Sequence, residues 1–274
     1  MPGAGRLDGV FRRTFFVASA LIAALVPLSA RQPALPPPAP PLPANTFSSP
    51  DWLLLDIGGL HRYIFELALS AASCAVRAGS IDDLTTLTVI DYTRSSTEKR
   101  LWVFDLHTKE LLFKELVAHG RGSGSGNYAT AFSNGMESHK SSLGLFRTDE
   151  TYYGDNGYSL RLRGLDQGFN DLAYDRAIVM HGAPYVTETV ARTYGRLDRS
   201  LGCPALSDGI AREVIDTVKG GHGLVFAYYP DPQWLAASKY LGNCAAVPVG
   251  VPAPAAISDA PVVSDTPAPS ASFP

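Results

Sequence analysis

Cys203 is the residue of this 274-residue chain best placed to do chemistry. It stands in Ser200-Leu201-Gly202-Cys203-Pro204-Ala205-Leu206, just ahead of a helix whose cap is read as Ser207 or Asp208. A thiol attacks a carbonyl as its thiolate, and a helix N-terminus and a nearby imidazole both favour that anion. The expectation is therefore a thiol of lowered pKa. The imidazole is His181, followed at once by Gly182 and lying 22 positions upstream (203 − 181). If the two segments are neighbours, His181 can take the thiol proton as a general base. Gly202 removes side-chain bulk beside the nucleophile, and the backbone N–H groups of Gly202 and Cys203 can form an oxyanion hole. Spacing alone also allows a buried cysteine and an unrelated histidine.

Other residues border this pair. Arg196, Arg199 and Ser200 precede the cysteine, and either arginine can engage a substrate carboxylate or remain a solvated loop charge. His119 opens the glycine-rich stretch Gly120–Gly126, which lacks the Lys-Ser/Thr ending and following helix of a phosphate loop. His119 is read as a groove residue or a satisfied core polar group. His139 lies in a polar loop, and His222 sits between Gly221 and Gly223 in a turn. No pair of histidines has metal-ligand spacing, so no metal is expected. Cys74 and Cys244 are either buried small residues or a disulfide pair, which leaves Cys203 as the odd thiol.

The elements that must position these residues follow from periodicity. Leu60, Ile64, Leu67, Ala71 and Ala75 fall at helical spacing, predicting a helix over about 60–78 closed by Gly79. The period then becomes two. Leu87–Tyr92, Leu101–Leu106 and Leu111–Ala118 read as strands, the last two joined across His107–Glu110. Tyr158–Arg163 alternates as a half-exposed strand, and Ala177–Met180 reads as a short strand covered on both faces and ending at His181. Ile210, Ala211, Val214, Ile215 and Val218 share one face of the helix after Cys203, stopped by Gly220. Leu224–Tyr229 is the last strand. Many short strands with few helices predict an α+β fold, mostly β, rather than a doubly wound sheet.

Both ends lie outside this pattern. Arg6, Arg12 and Arg13 precede an uncharged apolar run, Thr14–Leu28, and Ser29-Ala30 offers a small-residue cleavage site. Residues 1–30 are read as an export signal, with a retained anchor as the alternative. Residues 31–49 read as a Pro-rich linker, 50–246 as the folded domain, and 247–274 as a Pro/Ala/Ser-rich tail. The expected location is the periplasm or cell envelope. A net charge of −3 gives no basic footprint for nucleic acid.

Taken together, the segments resemble the murein L,D-transpeptidase catalytic domain family, with its YkuD-like fold. Its signature is a His-Gly, a variable loop, then Ser/Thr-x-Gly-Cys, here His181-Gly182 and Ser200-Leu201-Gly202-Cys203. Further matches are His119–Gly124, Phe132-Ser133-Asn134, Ser141–Phe146 and Gly157–Leu162. The resemblance covers about Leu87–Pro230 and is nearest a branch carrying His-Gly-Ala-x-Tyr-Val and Gly-Cys-Pro-Ala-Leu. It implies a β-sandwich or barrel with a preceding helix and one helix after the cysteine.

The resemblance also implies a reaction on peptidoglycan stem peptides without a cofactor. Cys203 would attack the carbonyl preceding the terminal D-alanine, His181 would act as base, and the Gly182 carbonyl would orient its ring. An amine, from a second stem or an acceptor protein, or water would resolve the thioester. Two departures stand out: Leu201 replaces a common His, and Pro204 and Ala205 follow the cysteine where a polar residue and an Arg are usual. The alternatives are an L,D-carboxypeptidase or amide hydrolase using the same thiol, and a non-catalytic wall-binding module. Oligomeric state is not legible.

Overall fold

The computed structural model describes Phe47 and residues 49–241. The export signal, most of the linker, the tail and Cys244 lie outside the described residues.

Eight strands form one mixed sheet: β1 Thr86–Asp91, β2 Leu101–Asp105, β3 Glu110–Glu115, β4 Gly144–Gly154, β5 Gly157–Gly164, β6 Val179–Ala183, β7 Ala205–Ser207 and β8 Gly223–Tyr228. Their order is β3-β2-β1-β8-β4-β5-β6-β7. Two pairs, β1–β8 and β6–β7, are parallel, and the rest are antiparallel. The two edges approach one another. Just past β3, Ala118 bridges Ala205 of β7, and Gly120 bridges Ser200, so the sheet curls into a nearly closed barrel. The fold is mostly β, of the YkuD-like type.

Four helices accompany the sheet: α1 Arg62–Arg77, α2 Glu188–Tyr194, α3 Asp208–Val218 and α4 Pro232–Ala237. α1 turns its Ile64, Leu67, Ala71 and Ala75 face inward and packs on β1 and β8. It ends where Gly79 takes φ +64, a left-handed conformation open to glycine at little cost. Trp52, Phe65 and Phe104 meet edge-on or tilted at 4.8–5.7 Å between centroids, fastening the segment before α1 to β2. α3 buries Ala211, Val214, Ile215 and Val218 and packs on β5, β6 and β7.

The expected strand at Ala177–Met180 is displaced by two residues, which is a correction. Ala177 has φ +53, a left-handed conformation incompatible with a strand, so β6 begins at Val179 and His181 lies inside it. The expected strand Leu111–Ala118 likewise ends at Glu115.

One buried carboxylate joins segments far apart in sequence. Asp166, 1% exposed, accepts the Leu145 N–H at 2.8 Å through Oδ2 and the Ser238 hydroxyl at 2.5 Å through Oδ1. Its backbone N–H donates to Asn170 Oδ1 at 2.8 Å, and Asn170 Nδ2 donates to the Leu145 carbonyl. The start of β4, the β5–β6 connection and the residue capping α4 thus share one hub. Burial pushes the Asp166 carboxyl above the usual range, with the Ser238 and Leu145 bonds opposing that shift. Asp166→Ala should orphan two buried donors, costing about 2–3 kcal/mol and lowering the melting midpoint by about 4–10 °C. Thermal denaturation followed by circular dichroism checks this; an unchanged midpoint would remove the hub from the stability argument.

Candidate active site

Parallel strands need a long crossover, and that requirement shapes the site. The chain leaves β6 after Ala183, forms α2, and returns as β7, with His181 opposite Ala205 and Gly182 opposite Leu206. Thr187 Oγ1 accepts the Val190 N–H at 3.1 Å to start α2, and Gly195 at φ +66 ends it. Leu116, Ala118, Ala183, Val186, Ala191, Leu197 and Ala205 form a small apolar core beneath this crossover. The 22-residue spacing of His181 and Cys203 is the length of this excursion.

Cys203 therefore lies just ahead of β7 and beside β6, the strand that carries His181. Cys203, two residues before Ala205, meets Val179, two residues before His181: the Val179 N–H donates to Cys203 Sγ at 3.5 Å. The thiol in turn faces the Ala177 carbonyl at 3.7 Å. Cys203 is a free cysteine, 8% exposed. Cys74, by contrast, is disulfide-bonded. The expectation of a lowered thiol pKa is corrected here. Burial pushes the Cys203 thiol up, and the Val179 N–H and the charge of Arg176 only partly oppose it. Cys203 is packed among core residues.

His181 is 4% exposed, and its Nδ1 lies 2.7 Å from the Gly182 carbonyl. A carbonyl only accepts, so Nδ1 carries the proton and Nε2 is left with its lone pair. Burial holds the imidazole below its ordinary pKa, while the Gly182 carbonyl and the Asp208 carboxylate favour the charged ring. Gly182 itself is packed tightly: a Cβ there would stand 2.6 Å from Asp208 Oδ1 and 3.2 Å from Ala211 Cβ. Its missing side chain lets the start of α3 sit against β6.

The turn before Cys203 is internally bonded. Ser200 Oγ donates to the Cys203 carbonyl at 2.6 Å and accepts the Gly202 N–H at 3.1 Å. The Gly202 N–H, expected as an oxyanion donor, is therefore engaged within the turn. Gly202 has φ +123, and a Cβ there would meet the Lys140 carbonyl at 2.8 Å and Ile178 at 3.1 Å. Both conformation and space require glycine at this position.

The remaining expected residues separate. His119 is 1% exposed and its Nδ1 lies 2.9 Å from Nη2 of the buried Arg100, so it is a core polar group, not a groove residue. Burial, with Arg100 and Arg199 adding, drives its imidazole down to about 3. Arg100 also donates to the Val117 carbonyl through Nε and Nη2, securing the segment that closes the barrel. Arg199 Nη1 donates to the Gly124 carbonyl at 2.9 Å, tying the glycine-rich loop to the turn before Cys203. Arg196 donates to the Leu197 carbonyl and pairs with Asp198 at 3.6 Å. His222 Nδ1 lies 3.2 Å from the Asp83 carbonyl, in the turn expected for it.

Sequence reasoning missed two residues. Arg176, on the β5–β6 connection, is the cation whose field reaches Cys203, and no motif or spacing marks it. Tyr185 follows β6, and burial pushes its phenol up to about 12, with Asp198, Cys203 and Asp208 adding to the rise. The Tyr in the His181–Val186 motif was visible, but not its proximity to the thiol.

With this geometry in place, comparison with known proteins is informative. Among solved structures, the helical cell shape determining protein Pgp2 from Campylobacter jejuni is similar at 16% identity, covering 55% of this chain and 49% of that one, with a TM-score of 0.36. An L,D-transpeptidase from Mycobacterium smegmatis matches at 16% identity, covering 53% and 59%, with a TM-score of 0.33. L,D-transpeptidase 1 from Mycobacterium tuberculosis matches at 13% identity, covering 53% and 62%, with a TM-score of 0.30. This chain thus spans about half to three-fifths of the length of those structures. No curated protein matches the chain. The L,D-transpeptidase catalytic domain family matches residues 57–228, a span holding α1, all eight strands, His181 and Cys203. The chain belongs to the L,D-transpeptidase catalytic domain family.

Proposed function

We propose that the protein is a cysteine acyltransferase acting on peptidoglycan stem peptides in the periplasm or cell envelope. The observation that carries this is that the β6–β7 pairing brings the turn holding Cys203 against β6, which carries His181, with Nδ1 held by the Gly182 carbonyl and Nε2 left as a base.

The chemistry follows from the resting charges. A raised thiol and a lowered imidazole make Cys203–SH and neutral His181 the stable pair. Rotation of Cys203 about Cα–Cβ turns Sγ from the β6 backbone toward the substrate. His181 Nε2 takes the thiol proton as Sγ bonds to the carbonyl carbon preceding the terminal D-alanine. The Gly182 carbonyl and the Asp208 carboxylate steady the imidazolium that forms. The Cys203 N–H is the donor assigned to the oxyanion, since that of Gly202 is engaged by Ser200. The C–N bond then breaks, and the proton on Nε2 passes to the departing amine of D-alanine, leaving a thioester on Sγ. An acceptor amine attacks the thioester, returns a proton through His181, and regenerates the thiol. Arg196 and Arg199 are assigned to a carboxylate of the stem peptide.

Three outcomes test this reading. Incubated with disaccharide-tetrapeptide muropeptides, the wild-type chain should release D-alanine and form dimers by mass spectrometry. Cys203→Ala should lose at least about a thousandfold of that activity. Release without dimers would assign the protein as a hydrolase, and Cys203-independent release would refute the nucleophile. Because burial lowers the His181 pKa, the neutral base persists into acid. The acid limb of the kcat/KM profile should therefore lie below the ordinary imidazole value of 6.5, and a limb above it contradicts the assignment. Arg199→Ala should raise KM for the stem peptide about tenfold with kcat little changed, as expected for lost binding of a charged group. An unchanged KM would remove Arg199 from the binding site.

A further inference from the structure

The β5–β6 connection brings one guanidinium to the nucleophile turn. Arg176 Nη1 donates to the Ser133 carbonyl at 2.8 Å and to Ser142 Oγ. Its Nη2 donates to the Lys140 carbonyl at 2.7 Å and to Ser138 Oγ at 3.2 Å. That same Nη2 lies 3.5 Å from where a Cβ on Gly202 would stand, and the Lys140 carbonyl lies 2.8 Å from that point. The guanidinium and the loop it holds therefore lie against the residue that precedes the nucleophile.

The next residue reaches the nucleophile itself. Ala177 has φ +53 and its carbonyl faces Cys203 Sγ at 3.7 Å. An alanine stays in the left-handed region only where its surroundings over-determine it, and such positions gather at functional sites. Here Arg176 on one side and the entry into β6 on the other fix it. One dipeptide thus borders both Gly202 and Cys203.

We propose that Arg176 is a positioning residue of this site, whose charge faces the Cys203 thiolate while its hydrogen bonds hold residues 133–142 against Gly202. The proposal rests on the reading of Cys203 as a nucleophile and names the source of positive charge that the sequence after Cys203 lacks. The other titratable groups sensing Cys203 are the phenols of Tyr92 and Tyr185. Burial pushes both up, so both are neutral when the thiolate forms. His181, on the neighbouring strand, becomes positive only after it has taken the proton. Among the described residues, Arg176 is the standing cation whose field opposes the effect of burial on the thiol. Its four hydrogen bonds compensate the guanidinium's own partial burial.

The test measures the thiol directly. The full chain, its Arg176→Gln variant and its Arg176→Lys variant are alkylated with iodoacetamide across about pH 6–11.5, and modification of the Cys203 peptide is followed by mass spectrometry. Removing a nearby positive charge should raise the Cys203 inflection in Arg176→Gln by about one pH unit, giving about tenfold slower alkylation near neutrality. Arg176→Lys should remain within about threefold of wild type, even though it cannot reproduce four hydrogen bonds and melts at a lower temperature. A Gln profile superimposed on wild type overturns the proposal. So does a Lys profile displaced as far as that of Gln, which would leave Arg176 only a loop staple. If Arg176→Gln does not fold, Arg176→Lys decides: a wild-type inflection despite a lowered melting midpoint supports the proposal, and displacement by a full unit refutes it. Alkylation needs no substrate, so this result stands apart from the muropeptide assay. Turnover that depends on Cys203 but alkylation indifferent to Arg176 sinks this inference alone, whereas turnover independent of Cys203 sinks the acyltransferase reading.

Discussion

The site depends on the parallel pairing of β6 with β7. In an antiparallel hairpin two residues can be opposed across a turn of a few positions; a parallel pair requires a crossover. The chain supplies one through α2, and the cost is a 22-residue separation that hides the pairing from local inspection. The gain is rigidity. His181 is fixed within a strand, and Cys203, two residues before the return strand, is held by Ser200 Oγ and the Val179 N–H. The small core under α2 fixes the crossover, and the bridge from Ala118 to Ala205 clamps the edge strand from its far side.

Burial then decides the electrostatics. A thiol this enclosed would be inert if it had to be a standing thiolate, because desolvation disfavours the anion. The arrangement instead suits a pair that is neutral at rest and separates charge only during attack. Each half has its support already in place: the Gly182 carbonyl and Asp208 for an imidazolium, the Val179 N–H and Arg176 for a thiolate. The turn before Cys203 is stiffened by Ser200, which bonds both the Cys203 carbonyl and the Gly202 N–H. Gly202 is needed for its left-handed backbone and for the space taken by the Lys140 carbonyl.

Elements with strong periodicity were legible in the sequence. α1 is found at Arg62–Arg77 against an expected 60–78, and α3, β1, β2, β5 and β8 fall close to their expected bounds. β4 was not legible as a strand. Its eleven residues run from buried to exposed, and its pairing with β5 slips between Thr148 and Thr151, so no single alternation persists. α2 and α4, of 7 and 6 residues, are too short for a helical period to stand out. The family resemblance rested on His181-Gly182 and Ser200–Cys203 together with the upstream segments from His119 to Leu162, and the fold sets Cys203 against Val179 and His181 against Ala205. The direction of the thiol shift was misread because sequence shows the helix ahead of Cys203 but not the core around it. Arg176 lies 27 residues before Cys203 and meets it only through the folded β5–β6 connection, a proximity that no spacing encodes.

The position of β8 has a consequence for how the chain comes to be folded at all. This strand, near the end of the described domain, inserts between β1 and β4 in the middle of the sheet, with Thr86–Asp91 on one side and Gly144–Arg147 on the other. Before residues 223–228 are available, β3-β2-β1 and β4-β5-β6-β7 share no strand ladder and meet only at the isolated bridges Ala118–Ala205 and Gly120–Ser200. A chain that grows from its N-terminus therefore cannot complete its core part-way through synthesis. Such long-range pairing is entropically slow to close. A keystone strand made this late keeps the cooperative fold from forming until residues 223–228 have been synthesised.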